Sequence, residues 1–251
     1  MGLLDDKVII VTGATSGIGE ATAIEIAREG GRVVLAGRRR ERGKAILEKI
    51  EKEKGIGYFV QTDVTKEEDI KNLVDLTEKE YGKLDGAFNN AGVANIFGSL
   101  DTMATDAYDQ LMAVNLRSVF LCMKYEIPKM IKNGSGAIVN CSSVVAVKAF
   151  PQFGVYVTTK HGVIGLSKSA AVDHGKDGIR VNCILPGPIE TEIWDPLPDG
   201  NQIVKNLAEA SCLNRSAKPV EIAKPVVFLL SDSASFITGA LLNIDGGMTA
   251  M

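Results

Sequence analysis

The stretch KVIIVTGATSGIG, residues 7–19, decides the fold. Val8, Ile9, Ile10 and Val11 run unbroken up to Thr12 and Gly13, the pattern of a strand buried on both faces. Glycines fall at 13, 17 and 19, and residues 18–31 then carry helical periodicity closed by glycine. Glycine lets the backbone turn tightly and come close to a pyrophosphate, which then rests on the helix N-terminus. The alternative is a plain tight turn, but the strand–turn–helix order favours a nucleotide site.

The rest of the chain repeats that alternation. β-rich runs at 32–37, 57–64, 84–92, 136–143, 179–187 and 240–247 are separated by helical stretches at 41–55, 66–82, about 105–132, 156–175 and near 220–231. Strands joined through helices imply right-handed crossovers. The expected fold class is therefore α/β, with one Rossmann-type doubly wound parallel sheet of about seven strands and helices on both faces. Residues 1–251 are expected to form a single domain. The proline-rich segment PGPIETEIWDPLPDGNQ, 186–202, reads as a mobile, irregular loop. In such a sheet a ligand belongs beyond the carboxyl ends of the strands.

Bulk properties exclude several classes. The chain has 251 residues, of which 45% are hydrophobic and 24% charged, with net charge -3. That balance makes no electrostatic case for nucleic acid or an anionic membrane. No apolar run is long enough to span a bilayer, and the first residues resemble neither a secretory signal nor a myristoylation site. A cytoplasmic protein is expected. Cys122, Cys141, Cys183 and Cys212 match neither a metal knuckle nor a redox pair. His161 and His174 are the only histidines, so no metal site is expected.

Further motifs follow in order: Asp63 after the third strand, NNAG at 89–92, Asn115 in the long helix, SS at 142–143, YVTTK at 156–160, PGPIET at 186–191 and NIDGG at 243–247. With Gly13, Gly17 and Gly19, this ordered set resembles the classical short-chain dehydrogenase/reductase family over nearly the whole chain. The resemblance implies a nicotinamide dinucleotide and hydride transfer between it and a ketone or secondary alcohol. It implies cofactor contacts from Gly13, Thr15, Ser16, Gly17, Ile18, Gly19, Asp63, Val64, Asn90, Ala91, Gly92, Pro186, Gly187, Ile189 and Thr191, with Asp63 on the adenine amino group.

Two segments place a tyrosine four residues before a lysine: YEIPK at 125–129 and YVTTK at 156–160. Residues i and i+4 share a helix face. A cation about 4 Å from a phenol, at an effective dielectric near 20, favours the phenolate by about 4 kcal/mol before desolvation opposes it. Tyr156 opens a helix just past the fifth strand and lies 13 residues beyond Ser143, which is the family's spacing. Tyr125 sits across Pro128 in a helix that Pro128 is expected to bend, and it is read as structural. The expected catalytic set is Asn115, Ser143, Tyr156 and Lys160. Tyr156 exchanges the proton, Ser143 orients the oxygen, Lys160 tunes Tyr156 and, as the family resemblance implies, also holds the nicotinamide ribose, and Asn115 supports a water relay or simply bonds to backbone. Ser142 is the weaker serine, off by one in spacing.

Cofactor choice turns on the end of the second strand. An acid there would receive a ribose 2′-hydroxyl, but Gly37 occupies the place and Arg38, Arg39, Arg40 and Arg42 follow. Arginines at a helix N-terminus oppose the macrodipole unless an anion meets them. Arg38, with Arg39, is the expected 2′-phosphate site, so NADP(H) is preferred and NAD(H) stays open. Ser16 points the other way, since many NADP-using relatives carry a basic residue there. Residues 188–214 are expected to form a lid, with Val145, Phe150, Phe153 and Trp194 as substrate contacts and Ile193 beside them. The substrate is expected to be a small to medium apolar ketone or alcohol. The alternatives are a 3-oxoacyl-thioester reductase of the same family and a non-catalytic dinucleotide sensor. Enoyl reduction is disfavoured, because such relatives space tyrosine and lysine further apart. The resemblance also implies a homotetramer.

Overall fold

The computed structural model describes residues 2–94, 96–195 and 200–251. Seven strands form one sheet: β1 (Val8–Thr12), β2 (Arg32–Gly37), β3 (Ile56–Gln61), β4 (Gly86–Asn89), β5 (Gly136–Cys141), β6 (Ile179–Pro186) and β7 (Leu241–Ile244). Their order is β3-β2-β1-β4-β5-β6-β7, and every neighbouring pair is parallel. This is the expected Rossmann-type α/β architecture.

Helices cover both faces because β1 is apolar on both. Ile9 and Val11 pack in one layer with α1 (Gly17–Arg28), α2 (Arg40–Lys52) and, near the chain end, the helix Pro219–Leu230. Ile10 points to the other layer, built with α3 (Glu67–Tyr81), the helix Ser118–Lys132 and the helix Gly154–His174. The chain first winds outward from β1 to β3 and then returns to lay β4 on the other side of β1. The crevice beyond β1 and β4 is thus the topological switch point, where an open parallel sheet binds its ligand.

Two regions differ from the sequence reading. The long helix expected at 105–132 is not uniform: α4 (Thr105–Met112) passes through a π-helical turn (Ala113–Arg117) into α5 (Ser118–Lys132). The wide turn carries Asn115, whose buried amide bonds the Val93 backbone instead of its own helix. Pro128 lies inside α5 without interrupting it. After α6 (Gly154–His174), the stretch read as irregular holds a 3-10 turn (Glu192–Trp194) and a helix, α7 (Gly200–Glu209). α7 forms because Ile203 and Leu207, four residues apart, share a face toward the same cavity wall. Residues 196–199 of the expected lid lie outside the described residues. The last helix is α8 (Pro219–Leu230). Cys122, Cys141 and Cys183 are buried and free, while Cys212 is exposed. Among the described residues no helix is long and apolar enough to cross a membrane, and no cluster suits a metal ion.

Candidate active site

The first turn is shaped by close approach. Gly13 (φ 66°) and Gly17 (φ 56°) adopt the left-handed conformation that side chains disfavour. A Cβ on Gly13 would stand 2.9 Å from the Ala91 Cα, so the β1 and β4 turns nearly touch. Thr12 ties them: its hydroxyl accepts the Asn90 and Ala91 amides, and its carbonyl accepts Asn90 Nδ2 at 3.1 Å. A Cβ on Gly19 would meet the Gly13 carbonyl and come within 2.7 Å of Asn90 Nδ2. Gly19 therefore serves helix-to-turn packing, and it does not line the groove. Gly13, Thr15, Ser16, Gly17, Ile18, Asn90, Ala91 and Gly92 do, in a cleft of about 430 Å³ that extends to Arg38, Arg39, Asp63 and Val64.

Polar groups in this groove are already oriented. Asp63 Oδ1 accepts from the Thr65 amide and hydroxyl at 3.0 and 2.8 Å. Burial pushes the Asp63 carboxyl up, but those two bonds, with the Arg38 and Lys66 charges, outweigh it and hold the group below the usual range. Arg39 donates to Thr15 Oγ1 and to Ser16 Oγ at 2.6 Å, and reaches Glu192 across the cleft at 3.3 Å. Arg42 also pairs with Glu192. Arg42 is the main cause holding the Glu192 carboxyl low, with Arg39 adding to it against partial burial. Arg38 faces the same groove and is exposed. Arg39 is thus the arginine whose side chain bonds the first turn, while Arg38 lines the same groove.

A second cavity, of about 160 Å³, opens off the groove and is walled mostly by apolar groups. Ser143, Tyr156 and Lys160 all line it, as do Pro186, Gly187, Ile189 and Thr191. Lys160 is 4% exposed; its ammonium donates to the Cys141 carbonyl at 3.0 Å and lies 5.6 Å from the Tyr156 ring centre. The hydroxyls of the two adjacent serines have different fates. Ser142 Oγ spends its proton on the Lys160 carbonyl, whereas Ser143 Oγ only accepts, from the Val145 amide at 3.4 Å. The Ser143 proton remains available to the cavity.

Val145, Phe150, Phe153, Ile193 and Trp194 line this cavity. Phe153 bridges Phe97, at 4.5 Å between ring centres, to Tyr156, at 6.2 Å. Trp194 is fixed by its indole N–H on the Ile189 carbonyl. Ile203, Leu207 and Met248 complete the wall and were missed. Met248 is 1% exposed despite lying near the chain end, and only the apolar spacing of Ile203 and Leu207 carried a sequence signal. Asn115 does not reach the wall. Its Oδ1 accepts the Val93 amide and its Nδ2 donates to the Val93 carbonyl, both at 2.8 Å. A Cβ on Gly92 would lie 3.3 Å from Asn115 Oδ1 and 3.6 Å from Lys160 Nζ, so both flank that glycine. The other tyrosine–lysine pair lies away from the cavity: Tyr125 donates to Glu67, and Lys129 pairs with Asp75 and Glu78.

A glycine-cradled groove at the switch point, continuous with an apolar cavity holding a phenol, an ammonium and a free hydroxyl, defines a dinucleotide-dependent oxidoreductase. A family model described as enoyl-(acyl carrier protein) reductase matches residues 13–249. The chain is 41% identical to a 2,5-dichloro-2,5-cyclohexadiene-1,4-diol dehydrogenase of Sphingobium indicum, over all of both chains. It is 36% identical to a 3beta-hydroxysteroid dehydrogenase of Mediterraneibacter gnavus, covering 99% of this chain and 97% of that one. The crystal structure of levodione reductase superposes with a TM-score of 0.94 at 32% identity, covering 98% and 99% of the two chains. The chain belongs to the short-chain dehydrogenase/reductase family. It is an oxidoreductase of alcohol and carbonyl groups that uses a nicotinamide dinucleotide.

Proposed function

We propose that this enzyme interconverts a cyclic, largely apolar ketone and its secondary alcohol, with NADP(H) as the preferred cofactor. The observation that carries the reading is that Ser143, Tyr156 and Lys160 line one largely apolar cavity, with the Lys160 ammonium 5.6 Å from the Tyr156 ring centre. Tyr156 gives its phenolic proton to the carbonyl oxygen in reduction and takes it back from the alcohol in oxidation. Ser143 donates to the same oxygen, since its proton is not otherwise used. Lys160, anchored on the Cys141 carbonyl, stabilises the phenolate. Asn115 acts at one remove by fixing Val93 beside Gly92. When bound, the dinucleotide supplies the nicotinamide carbon that gives or accepts hydride.

The fit of the groove to a dinucleotide is supported by the left-handed turn at Gly13 and Gly17, which lines the groove with no side chain of its own. Asp63, Val64, Asn90, Ala91 and Gly92 are proposed to hold the adenosine half, and Pro186, Gly187, Ile189 and Thr191 the nicotinamide half. A preference for the 2′-phosphate is supported at Gly37, where a side chain would strike Thr15 Cγ2 at 2.7 Å, so no acid stands in that place. Arg38 and Arg39 supply positive charge instead. Ring substrates are supported by the aromatic and aliphatic wall and by relatives named for a cyclohexadiene diol and a steroid 3β-alcohol. Carbonyl chemistry is favoured over enoyl reduction because Tyr156 and Lys160 lie one helical turn apart. Exposed Phe120 on α5, Val172 on α6 and Phe236 after α8 are proposed to be covered in a homotetramer. Cyclic ketones and alcohols assayed with NADPH and NADH in turn test the reading. Turnover of cyclohexanone-type substrates that vanishes in Tyr156→Phe is expected; a fully active Tyr156→Phe enzyme overturns it.

A further inference from the structure

Between α5 and the sheet lies a carboxyl that the chemistry above does not use. Glu126, on α5, is 0% exposed. Its Oε2 accepts one bond, from Asn89 Nδ2 at 3.0 Å. The same Asn89 nitrogen donates to Asn140 Oδ1 at 3.0 Å, across the β4–β5 pair. Asn140 Nδ2 donates to Ser167 Oγ of α6 at 2.9 Å and toward the Met123 sulfur. Ser167 Oγ gives its own proton to the Val163 carbonyl. The side-chain N–H groups of Asn89 and Asn140 are thereby all spent. Among the described residues two buried side-chain acceptors remain without a partner, Asn89 Oδ1 and Glu126 Oε1, and they belong to the same bonded pair.

Among the described residues no cation pairs with Glu126. Cys122 faces it from its own helix, Asn89 from β4 and Asn140 from β5, with Ser167 of α6 and the Cys183 thiol of β6 behind them. The acids of α3 that meet α5, Glu67 and Glu78, are taken up by Lys124, Lys129 and Lys132. An ionised Glu126 would be a buried charge held by one neutral amide, an arrangement whose desolvation cost is not repaid. A single proton removes the charge and supplies the donor that both orphan atoms lack.

We propose that Glu126 is a positioning residue kept as a neutral carboxylic acid, its proton on Oε1 given to Asn89 Oδ1. The resulting acid–amide pair is one end of a buried strut, Glu126–Asn89–Asn140–Ser167, that ties α5, β4, β5 and α6 together. The residues next along each strand are the ones the site depends on. Asn89 precedes Asn90 and Ala91 of the cofactor turn, and Asn140 precedes Cys141, whose carbonyl holds Lys160. The link to catalysis rests on the function proposed above; the protonation state does not. Burial pushes this carboxyl up to about 7, with only the Asn89 bond opposing. Because the folded value is raised, the stabilisation is complete below the ordinary value of 4.5 and is lost as pH rises toward and through about 7.

Glu126→Gln tests this, since glutamine keeps the shape, stays neutral, and can give an N–H to Asn89 Oδ1. Infrared difference spectra of wild type minus Glu126→Gln are expected to show a carboxylic-acid carbonyl band below pH 7 that fades above it. The melting temperature of wild type is expected to fall between about pH 4.5 and 7 relative to that of Glu126→Gln. The variant's kcat is expected within about twofold of wild type on the acid side and above it on the alkaline side. Glu126→Leu, which keeps apolar bulk but no partner for Asn89, is expected to lose about tenfold or more in kcat and to raise KM for cofactor. A carboxylate band at acid pH with no acid band overturns the proposal, as does a Glu126→Gln enzyme as impaired as Glu126→Leu. Infrared and melting readouts report on Glu126 even if no substrate turns over, so failure of the proposed activity remains distinguishable.

Discussion

Replacing Lys160 by methionine keeps the buried stem and removes the charge. The ammonium lies 5.6 Å from the centre of the Tyr156 ring. At an effective dielectric near 20, one unit charge at that separation stabilises a phenolate by about 3 kcal/mol. If the transition state carries most of that charge on Tyr156, its loss slows turnover by about a hundredfold. Methionine should not unfold the helix, because a side chain only 4% exposed is exchanged for an apolar one of similar length. The cost is one unpaired carbonyl, that of Cys141, which a water can satisfy from the cavity. The assay is steady-state reduction of a cyclic ketone followed by nicotinamide absorbance, alongside cofactor titration by nicotinamide fluorescence and a melting curve. The expected result is a kcat down about a hundredfold, with cofactor affinity changed less than about tenfold. A variant with near-normal kcat but ruined cofactor affinity would refute the electrostatic reasoning and leave Lys160 as a ribose clamp.

Two further substitutions probe the groove. Arg39→Ala removes the guanidinium bonded to Thr15 and Ser16; it should raise KM for NADPH by about tenfold or more while changing KM for NADH less than about threefold, measured in parallel saturation curves. Combining it with Arg38→Ala should widen that gap, and equal losses with both cofactors would mean that the arginines do not read the 2′-phosphate. Gly19→Ala drives a methyl into the Gly13 carbonyl and the Asn90 amide; calorimetry should show a loss of about 1–3 kcal/mol in stability, with cofactor binding weakened as the first turn shifts.

The order of strands and helices was legible because the strands are centred on short apolar stretches, unbroken in β1, and turn residues separate them from the helices. The groove was legible for the same local reason: Gly13, Gly17 and the NNAG turn are each needed where they stand. Other features depend on distant partners and leave no local mark. Arg39 bonds Thr15 and Ser16 on one side of the cleft and Glu192, 153 residues away, on the other. Met248 joins the cavity wall only because β7 lies beside β6. Glu126 looks like one more helix-surface charge in YEIPK, and its burial follows from packing against β4 and β5. The helix at Gly200–Glu209 was obscured by its polar composition, although Ile203 and Leu207 held the needed spacing.

The wide turn between Thr105–Met112 and Ser118–Lys132 constrains how this chain can vary. A π turn holds one residue more than an α turn and absorbs it without turning the helix that follows. Excising a single residue from 113–117 would let the turn close to α geometry with Met123 and Ile127 still against the sheet, but the Asn115 amide would lose its reach to the Val93 backbone. Homologous chains one residue shorter within these five positions should therefore keep both flanking helices and lack an asparagine bonded to that loop, a pairing that comparison of chain lengths can measure.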